Sequence, residues 1–290
     1  MEPTPAAEFE VTEPLVRSLL QQQCPELAEL PIRSFEHGWD NEIFRLGNDF
    51  TLRFPRRASA AELVTFEQKW LPAIAPSLPL PVPVPVFVGM PGDGYPWSWS
   101  VNPWLPGSSA VSTKYNEIQV ADDLASFLSA LHIPAPADLP LNPVRGIPLR
   151  EREPLARPRI DQLEGVDHSL LHLLWSELSA TPDFPGEPVL CHGDFHPGNI
   201  LVRNGCVSAV IDFGDITAGD PAVDHACAWM FFGPAGRARF LGTLNVSGEA
   251  RERARGWALA LGIAVASTSA DNPDMAALGY RTIAAVLAND

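Results

Sequence analysis

Residues 192–215, HGDFHPGNILVRNGCVSAVIDFGD, place two histidines, three aspartates and Asn199 in a stretch that otherwise reads as buried strand. NILV and CVSAVIDF are short β-type runs, and Asn204-Gly205 between them is the strongest short-range hairpin signal. Asp194 and Asn199 then flank a loop entering one strand, and Asp212 ends its partner, so three oxygen-bearing side chains arrive at one end of a hairpin. Oxygen ligands of this kind suit Mg²⁺, a hard cation that takes one or two protein carboxylates and completes its shell with substrate phosphates. A carboxylate kept off the metal can orient a hydroxyl and accept its proton. Turn capping by Asp and Asn explains one or two of these residues but not the set. H-x-D-x-H also reads as a fragment of a metallohydrolase cluster, but such a site needs more histidines at fixed spacing. His37, His132, His168 and His225 fall in no such pattern.

At these residues the sequence resembles a known family. HGDFHPGN matches the H-G-D-x-x-x-x-N catalytic loop of the aminoglycoside phosphotransferases, relatives of the protein kinases, and IDFGD matches their second metal-binding motif. The two occur in that order, with seventeen residues between Asp194 and Asp212. The resemblance implies an α+β, protein-kinase-like two-lobe fold: a β-rich, nucleotide-binding N-lobe at 1–103 and a mainly helical C-lobe at 104–290 for catalysis and substrate binding. It implies that Asp194 is the catalytic base, that Asn199 and Asp212 hold Mg²⁺, and that His192 braces the loop, while His196 and Asp215 take no firm role. ATP or GTP would donate its γ-phosphoryl group to a hydroxyl of a small molecule, an aminoglycoside-like or other antibiotic. A macrolide or a small metabolite, such as an amino-alcohol or sugar, is the alternative acceptor. The competing class is a catalytically weak nucleotide-binding protein.

A kinase-like mechanism makes independent demands upstream: a cation on a strand facing the nucleotide, paired with a glutamate on the next helix. In FTLRF, alternation puts Phe50, Leu52 and Phe54 on one face and Thr51 with Arg53 on the other. In the following helical run, Leu63, Phe66, Trp70, Leu71 and Ile74 make an apolar stripe, and Glu67 falls inside it while Glu62 lies off it. A carboxylate in a buried stripe needs a partner, and Arg53 is the obvious one. The family more often carries lysine there, and the guanidinium fork differs from an ammonium in reach. The run from Leu52 to Arg57, LRFPRR, is also similar to macrolide phosphotransferases of the same superfamily, and Arg56 and Arg57 read as solvated loop charges. EHGWDNE stands where the resemblance places the hairpin over the nucleotide. It has one glycine, Gly38, and no GxGxxG signature, so its position carries the expectation that backbone amides around Gly38, Trp39, Asp40 and Asn41 contact phosphates. Trp104 reads as a core residue or a neighbour of the adenine.

Two textures divide the 290 residues: short β-type runs around one helix between 32 and 101, then helical patterns from about 115 onward, with WLPGSS between them. The proline-rich PSLPLPVPVPVF reads as a stiff extended connector. No run of about 18 apolar residues occurs and the N-terminal residues show no basic-then-apolar pattern, so neither a membrane span nor a secretory signal is expected, and a cytoplasmic location is. The net charge of −15 argues against nucleic acid and favours a small hydroxylated partner able to carry positive charge. A monomer or weak dimer is expected. Cys24, Cys191, Cys206 and Cys227 form no CxxC pair, which suits reduced thiols better than a disulfide framework or a zinc site.

Overall fold

The computed structural model describes residues 5–288, with the side chains of Glu36 and His37 outside that description, so the expectation for His37 lies outside the described residues. Helix α1 (Glu13–Gln23) precedes strands β1 (Ile32–His37), β2 (Asn41–Leu46) and β3 (Phe50–Pro55), and α2 (Ala58–Ile74) follows. An extended proline-rich segment leads to β4 (Phe87–Gly89) and β5 (Trp99–Pro103). These strands form one antiparallel sheet in the order β1-β2-β3-β5-β4. Beyond it lie β6 (Ser108–Ser109), α3 (Glu117–Leu131), α4 (Glu153–Gln162), α5 (His168–Ser179), β7 (Val189–Cys191), β8 (Ile200–Arg203), β9 (Cys206–Val210) and β10 (Thr217–Gly219). The chain ends in helices α6 (Ala222–His225), α7 (Cys227–Phe231), α8 (Pro234–Thr243), α9 (Gly248–Thr268) and α10 (Pro273–Ala288). The architecture is thus α+β, a β-rich N-terminal part and a mainly helical remainder, as the two textures predicted. Among the described residues no helix is long and apolar enough to cross a membrane.

Two buried apolar clusters hold these parts. The first gathers Leu52 and Phe54 of β3 with Val16, Leu19 and Leu20 of α1, and Phe54 stacks on Trp99 of β5 at 5.1 Å between ring centroids. Fully burying one such side chain stabilises the fold by about 1.5–3 kcal/mol. The alternation in FTLRF leaves Arg53 on the opposite face, towards the cleft. Sequence reading did not pick out α1, although Pro14 in its first turn and the spacing of Val16, Leu19 and Leu20 carry a helical signal. The second cluster is built from α3, α5, α7, α9 and α10 around Trp175 and Trp257, and it takes in Trp70, Leu71 and Ile74 from the end of α2. Helix α2 therefore touches both parts. Asn116 caps α3 by accepting the Gln119 N–H at 3.2 Å, and Asp167 caps α5 by accepting the Leu170 N–H at 3.0 Å. Cys24, Cys191 and Cys227 are buried and free, and Cys206 is free and exposed.

Candidate active site

The β8–β9 hairpin turns where it was expected to, with Asn204 and Gly205 at φ of +55° and +81°, the left-handed pair of a tight turn. At the other end Ile211 N–H donates to the carbonyl of Asn199 at 2.9 Å, which brings Asn199 and Asp212 together. Asp212 itself has φ +64°, a conformation aspartate tolerates better than most residues and one that turns its side chain out of the strand. Antiparallel pairing of β7 with β10 sets the other wall, Cys191 opposite Thr217. Gly193 is required between them: at φ +84° a Cβ there would lie 2.2 Å from the carbonyl oxygen of Asp215.

The loop is anchored from below by Asp224 of α6. Its fully buried carboxylate accepts the backbone N–H of His192 at 2.8 Å and of Gly193 at 2.9 Å, and His132 Nε2 at 3.0 Å. His132, Cys191 and Asp224 offer ligand atoms within 4.8 Å of one another, but these contacts commit both Asp224 oxygens to holding the loop. His192 Nε2 meets the Ile211 carbonyl at 3.1 Å, and its Nδ1 accepts the Asp194 N–H at 3.3 Å, so it braces both strands of the site.

Three donors converge on the Asp194 carboxylate: Arg145 Nη2 on Oδ1 at 2.9 Å, and His196 Nε2 and Asn199 Nδ2 on Oδ2, each at 3.2 Å. Burial alone would raise the pKa of Asp194, but His196 and Arg145 outweigh it and hold the carboxyl far below the usual range. Burial works against charge on His196, and Asp194 overcomes it, so the imidazole titrates above its ordinary value. Asp215, buried near Arg145, is pushed up by burial; its Oδ1 accepts from Asn142 Nδ2 at 2.7 Å. Arg145 and Asn142 belong to the irregular segment 132–148, where no periodicity or turn signal marked them out. His196 lay in the motif without a firm role and is now in contact with Asp194.

These shifts carry a pH dependence. The protonated His196 gains stability from Asp194 that is complete below about pH 6.5, its ordinary value, and is lost as pH rises through its higher folded-state value. Asp194 behaves oppositely: its contribution is present above about pH 3.9 and disappears only in strong acid. Urea unfolding of the wild type between about pH 5 and pH 9 should therefore show a loss of stability with rising pH that is shallower in His196→Gln. Equal slopes in the two proteins would remove the His196–Asp194 pair from the account.

From the N-terminal sheet, Arg53 enters the same site. Nη1 donates to Glu67 Oε2 at 2.6 Å and Nη2 to Asp212 Oδ1 at 2.5 Å, while the Phe213 N–H donates to Glu67 Oε2 at 3.0 Å. With its amide oxygen turned inward, Asn41 accepts from Nη2 and Nε of Arg53, both at 3.0 Å. Burial would lower the pKa of Arg53, and Asp212 and Glu67 together raise it; burial raises that of Glu67, with Arg53 opposing. The pairing of Arg53 with Glu67 expected from strand and helix faces is present, and Glu62 is exposed.

The hairpin over the site is tied rather than solvated. Gly38 N–H donates to the Asn41 carbonyl at 2.9 Å, Arg56 Nη1 to the Gly38 carbonyl at 2.9 Å, and Arg57 pairs with Asp40 at 2.5 Å. Arg56 and Arg57 therefore fold back onto the loop instead of standing free in water, because the hairpin offers a carbonyl and a carboxylate within their reach. Burial raises the pKa of Asp40 and Arg57 opposes it. Trp39 is exposed, and Trp104, outside the core, lies edge-on to Phe35 beneath the Arg45 guanidinium, 3.6 Å from its ring centroid.

The chain resembles known phosphotransferases in sequence and in fold. An aminoglycoside 3'-phosphotransferase of Escherichia coli is 26% identical over 144 residues, 47% of this chain and 53% of that protein. An uncharacterised Bacillus subtilis protein, YcbJ, is 39% identical over 59 residues, 20% of this chain and 19% of its own length. The chain thus spans about half or less of the curated relatives it matches. The structure of APH(2")-IIIa with GDP and kanamycin superposes with a TM-score of 0.74 at 18% identity, covering 95% of this chain and 99% of that one. Macrolide 2'-phosphotransferase MphH from Brachybacterium faecium superposes with a TM-score of 0.66 at 23% identity, covering 93% and 97%. These likenesses establish the two-lobed fold of the aminoglycoside and macrolide phosphotransferases. The profile of the phosphotransferase enzyme family matches residues 31–257, most of the chain, so the protein belongs to that family.

Proposed function

We propose that the protein transfers the γ-phosphoryl group of ATP or GTP to a hydroxyl of a small molecule, with residues 1–103 holding the nucleotide and 104–290 supplying the base and the acceptor wall. The observation that carries this reading is the meeting of Arg53, Glu67 and Asp212 in one ion-pair network beside the loop of Asp194 and Asn199. Asn199 and Asp212 would hold Mg²⁺. The donor set fits: Asn199 Nδ2 is spent on the Asp194 carbonyl at 2.9 Å, leaving its amide oxygen, and Asp212 Oδ1 is spent on Arg53, leaving Oδ2 on a half-exposed side chain. When bound, the ion supplies charge neutralisation for the donor phosphates.

Asp194, held ionised by its neighbours, orients the acceptor hydroxyl. As that oxygen bonds to the γ-phosphorus, the bond to the β,γ-bridging oxygen breaks and the hydroxyl proton passes to the carboxylate. A carboxylate this acidic takes the proton late, which suits a loose transition state in which attack demands little prior deprotonation. Arg53, kept in place by Glu67, faces the phosphates, and backbone amides of Gly38, Trp39, Asp40 and Asn41 cover them. The nucleotide supply places this work in the cytoplasm, by a monomer or weak dimer. The ligands of the structural neighbours support an aminoglycoside-like acceptor, and the LRFPRR run supports a macrolide; a small metabolite is the third class. Incubating a panel of these acceptors with ATP or GTP and Mg²⁺, with products identified by mass spectrometry, tests the reading. No phosphorylated product and no nucleotide turnover would sink it.

The metal assignment has its own test. Asp212→Asn removes one ligand charge and one partner of Arg53, so calorimetry should find Mg·nucleotide affinity reduced by about tenfold or more. Unchanged affinity would count against Asp212 as a ligand.

A further inference from the structure

An ionised carboxylate offers about two acceptor positions on each oxygen. On Asp194, Oδ2 already meets two donors of its own loop, His196 Nε2 and Asn199 Nδ2, each at 3.2 Å. Oδ1 meets one, Arg145 Nη2 at 2.9 Å. The place left for a hydroxyl on this carboxylate is therefore the second acceptor position of Oδ1, beside Arg145. It is open to solvent: the side chains of Asp194 and Arg145 are 21% and 17% exposed.

Arg145 has a second arm for that place. Among the described residues its Nη1 makes no hydrogen bond, and unlike Nε it is not sealed from solvent. The planar fork carries Nη1 beside Nη2, so a molecule seated on Oδ1 comes within its reach. The backbone is tied on both sides of the residue: the Asn142 N–H donates to Thr217 Oγ1 at 2.9 Å, and the Asp220 N–H to the Gly146 carbonyl at 3.0 Å. Gly146, at φ +64°, sits so close to β10 that a Cβ there would lie 3.2 Å from the Cα of Gly219. The arm is thus presented by anchored backbone, although its segment is irregular. Burial would lower the pKa of Arg145, and Asp194 and Asp215 together hold it above its ordinary value, so the guanidinium stays charged with carboxylates already facing it. An ammonium on Nη1 would meet like charge, and a further anion would meet Asp194 and Asp215. A neutral oxygen meets neither.

We infer that Arg145 reads the acceptor: Nη2 holds Asp194 Oδ1, and Nη1 donates to a neutral oxygen, a hydroxyl, ether or carbonyl, on the carbon next to the hydroxyl that is phosphorylated. This rests on the phosphotransfer reading. The reacting hydroxyl donates to Oδ1. As its oxygen bonds to the γ-phosphorus, the β,γ-bridging oxygen leaves with the nucleoside diphosphate and the hydroxyl proton passes to Oδ1, while Nη1 keeps the neighbouring oxygen in place. The acceptor class is narrowed to molecules with two oxygens on adjoining carbons or on one hydroxyl-bearing carbon's neighbour, and a hydroxyl flanked only by an ammonium-bearing carbon is excluded.

Kanamycin, erythromycin, glucose and choline, one or more for each acceptor class above, are incubated with the full chain, Mg²⁺ and ATP or GTP, and the phosphorylated position is located by mass spectrometry and NMR. The phosphate should stand on a hydroxyl with an oxygen on the adjoining carbon, and choline, which has none, should stay unmodified. With the acceptor so found, Arg145→Gln should lower acceptor kcat/KM by about tenfold to hundredfold while the KM for nucleotide stays within about twofold of wild type. Arg145→Lys should fall between them, since an ammonium reaches Oδ1 but lacks the second arm. A residue that merely supported the fold would disturb both substrates alike. Phenylglyoxal labelling of the wild type, read at Arg145 by peptide mass spectrometry, needs no variant to fold: acceptor should protect Arg145 and Mg·nucleotide alone should not. Unchanged acceptor kinetics in a folded Arg145→Gln, a parallel loss for both substrates, labelling of Arg145 that the acceptor does not block, or phosphorylation of choline defeats this inference alone. No product from any of the four compounds defeats the phosphotransfer reading and this inference with it.

Discussion

Asp194→Asn should lower turnover by about two to four orders of magnitude while Mg·nucleotide affinity stays within about twofold of wild type. The substitution keeps the shape of the side chain but replaces an acceptor oxygen with an NH₂ donor. In the native loop both oxygens face donors: Arg145 on Oδ1, His196 and Asn199 on Oδ2. Whichever way the amide turns, its NH₂ meets one of them, so the variant loses the proton acceptor and part of the loop's order. Asp194→Ala removes the clash along with the base, and should match the Asn variant in turnover if proton acceptance and hydroxyl orientation are what is lost. Single-turnover assays with saturating nucleotide isolate this step from donor binding. Wild-type-like turnover in either variant would overturn the role of Asp194.

The second large effect belongs to Arg53 and Glu67. Glu67 is fully buried, and Glu67→Ala would leave the Phe213 N–H without its acceptor and Arg53 with only Asp212 and Asn41. Breaking a buried pair from one side costs roughly 3–5 kcal/mol, less where water can enter. Both Arg53→Ala and Glu67→Ala should raise the KM for nucleotide, and the double variant should be less impaired than the sum, since each single change already removes the pair. Arg53→Lys probes the fork itself. An ammonium can reach Glu67 or Asp212 but cannot also offer Asn41 the Nε contact, so the variant should keep substantial activity with reduced stability. Urea unfolding and steady-state kinetics on the four proteins complete the test. Additive effects in the double variant, with Arg53→Lys as impaired as Arg53→Ala, would show that Arg53 is not the cation facing the phosphates.

The contrast between these two sites shows which parts of the protein are written locally. The hairpin of 192–215 was legible because its signals act over a few residues: alternating apolar positions, an Asn-Gly turn, and oxygen-bearing side chains at the strand ends. Period-2 alternation put Arg53 on the cleft face of β3, and the 3.6-residue period put Glu67 in the buried stripe of α2, so their pairing followed from two independent local patterns. The family motifs then indicated the two-lobed fold, which the strand order and the likeness to solved phosphotransferases bear out. Tertiary structure decided the rest. Arg145 and Asn142 come from an irregular segment in which no repeat distinguishes a residue that reaches the site from one that faces water, and the close approach of its Gly146 to Gly219 of β10 sets the segment beside Asp194 and Asp215. Asp224 holds the loop of Asp194 through two backbone N–H groups, which have no sequence identity to read. The ion pair from Arg53 to Asp212 joins residues 159 positions apart. Periodicity records the face a residue presents within its own element; which partner waits opposite that face depends on how distant elements close, and that is set by the burial of the whole core.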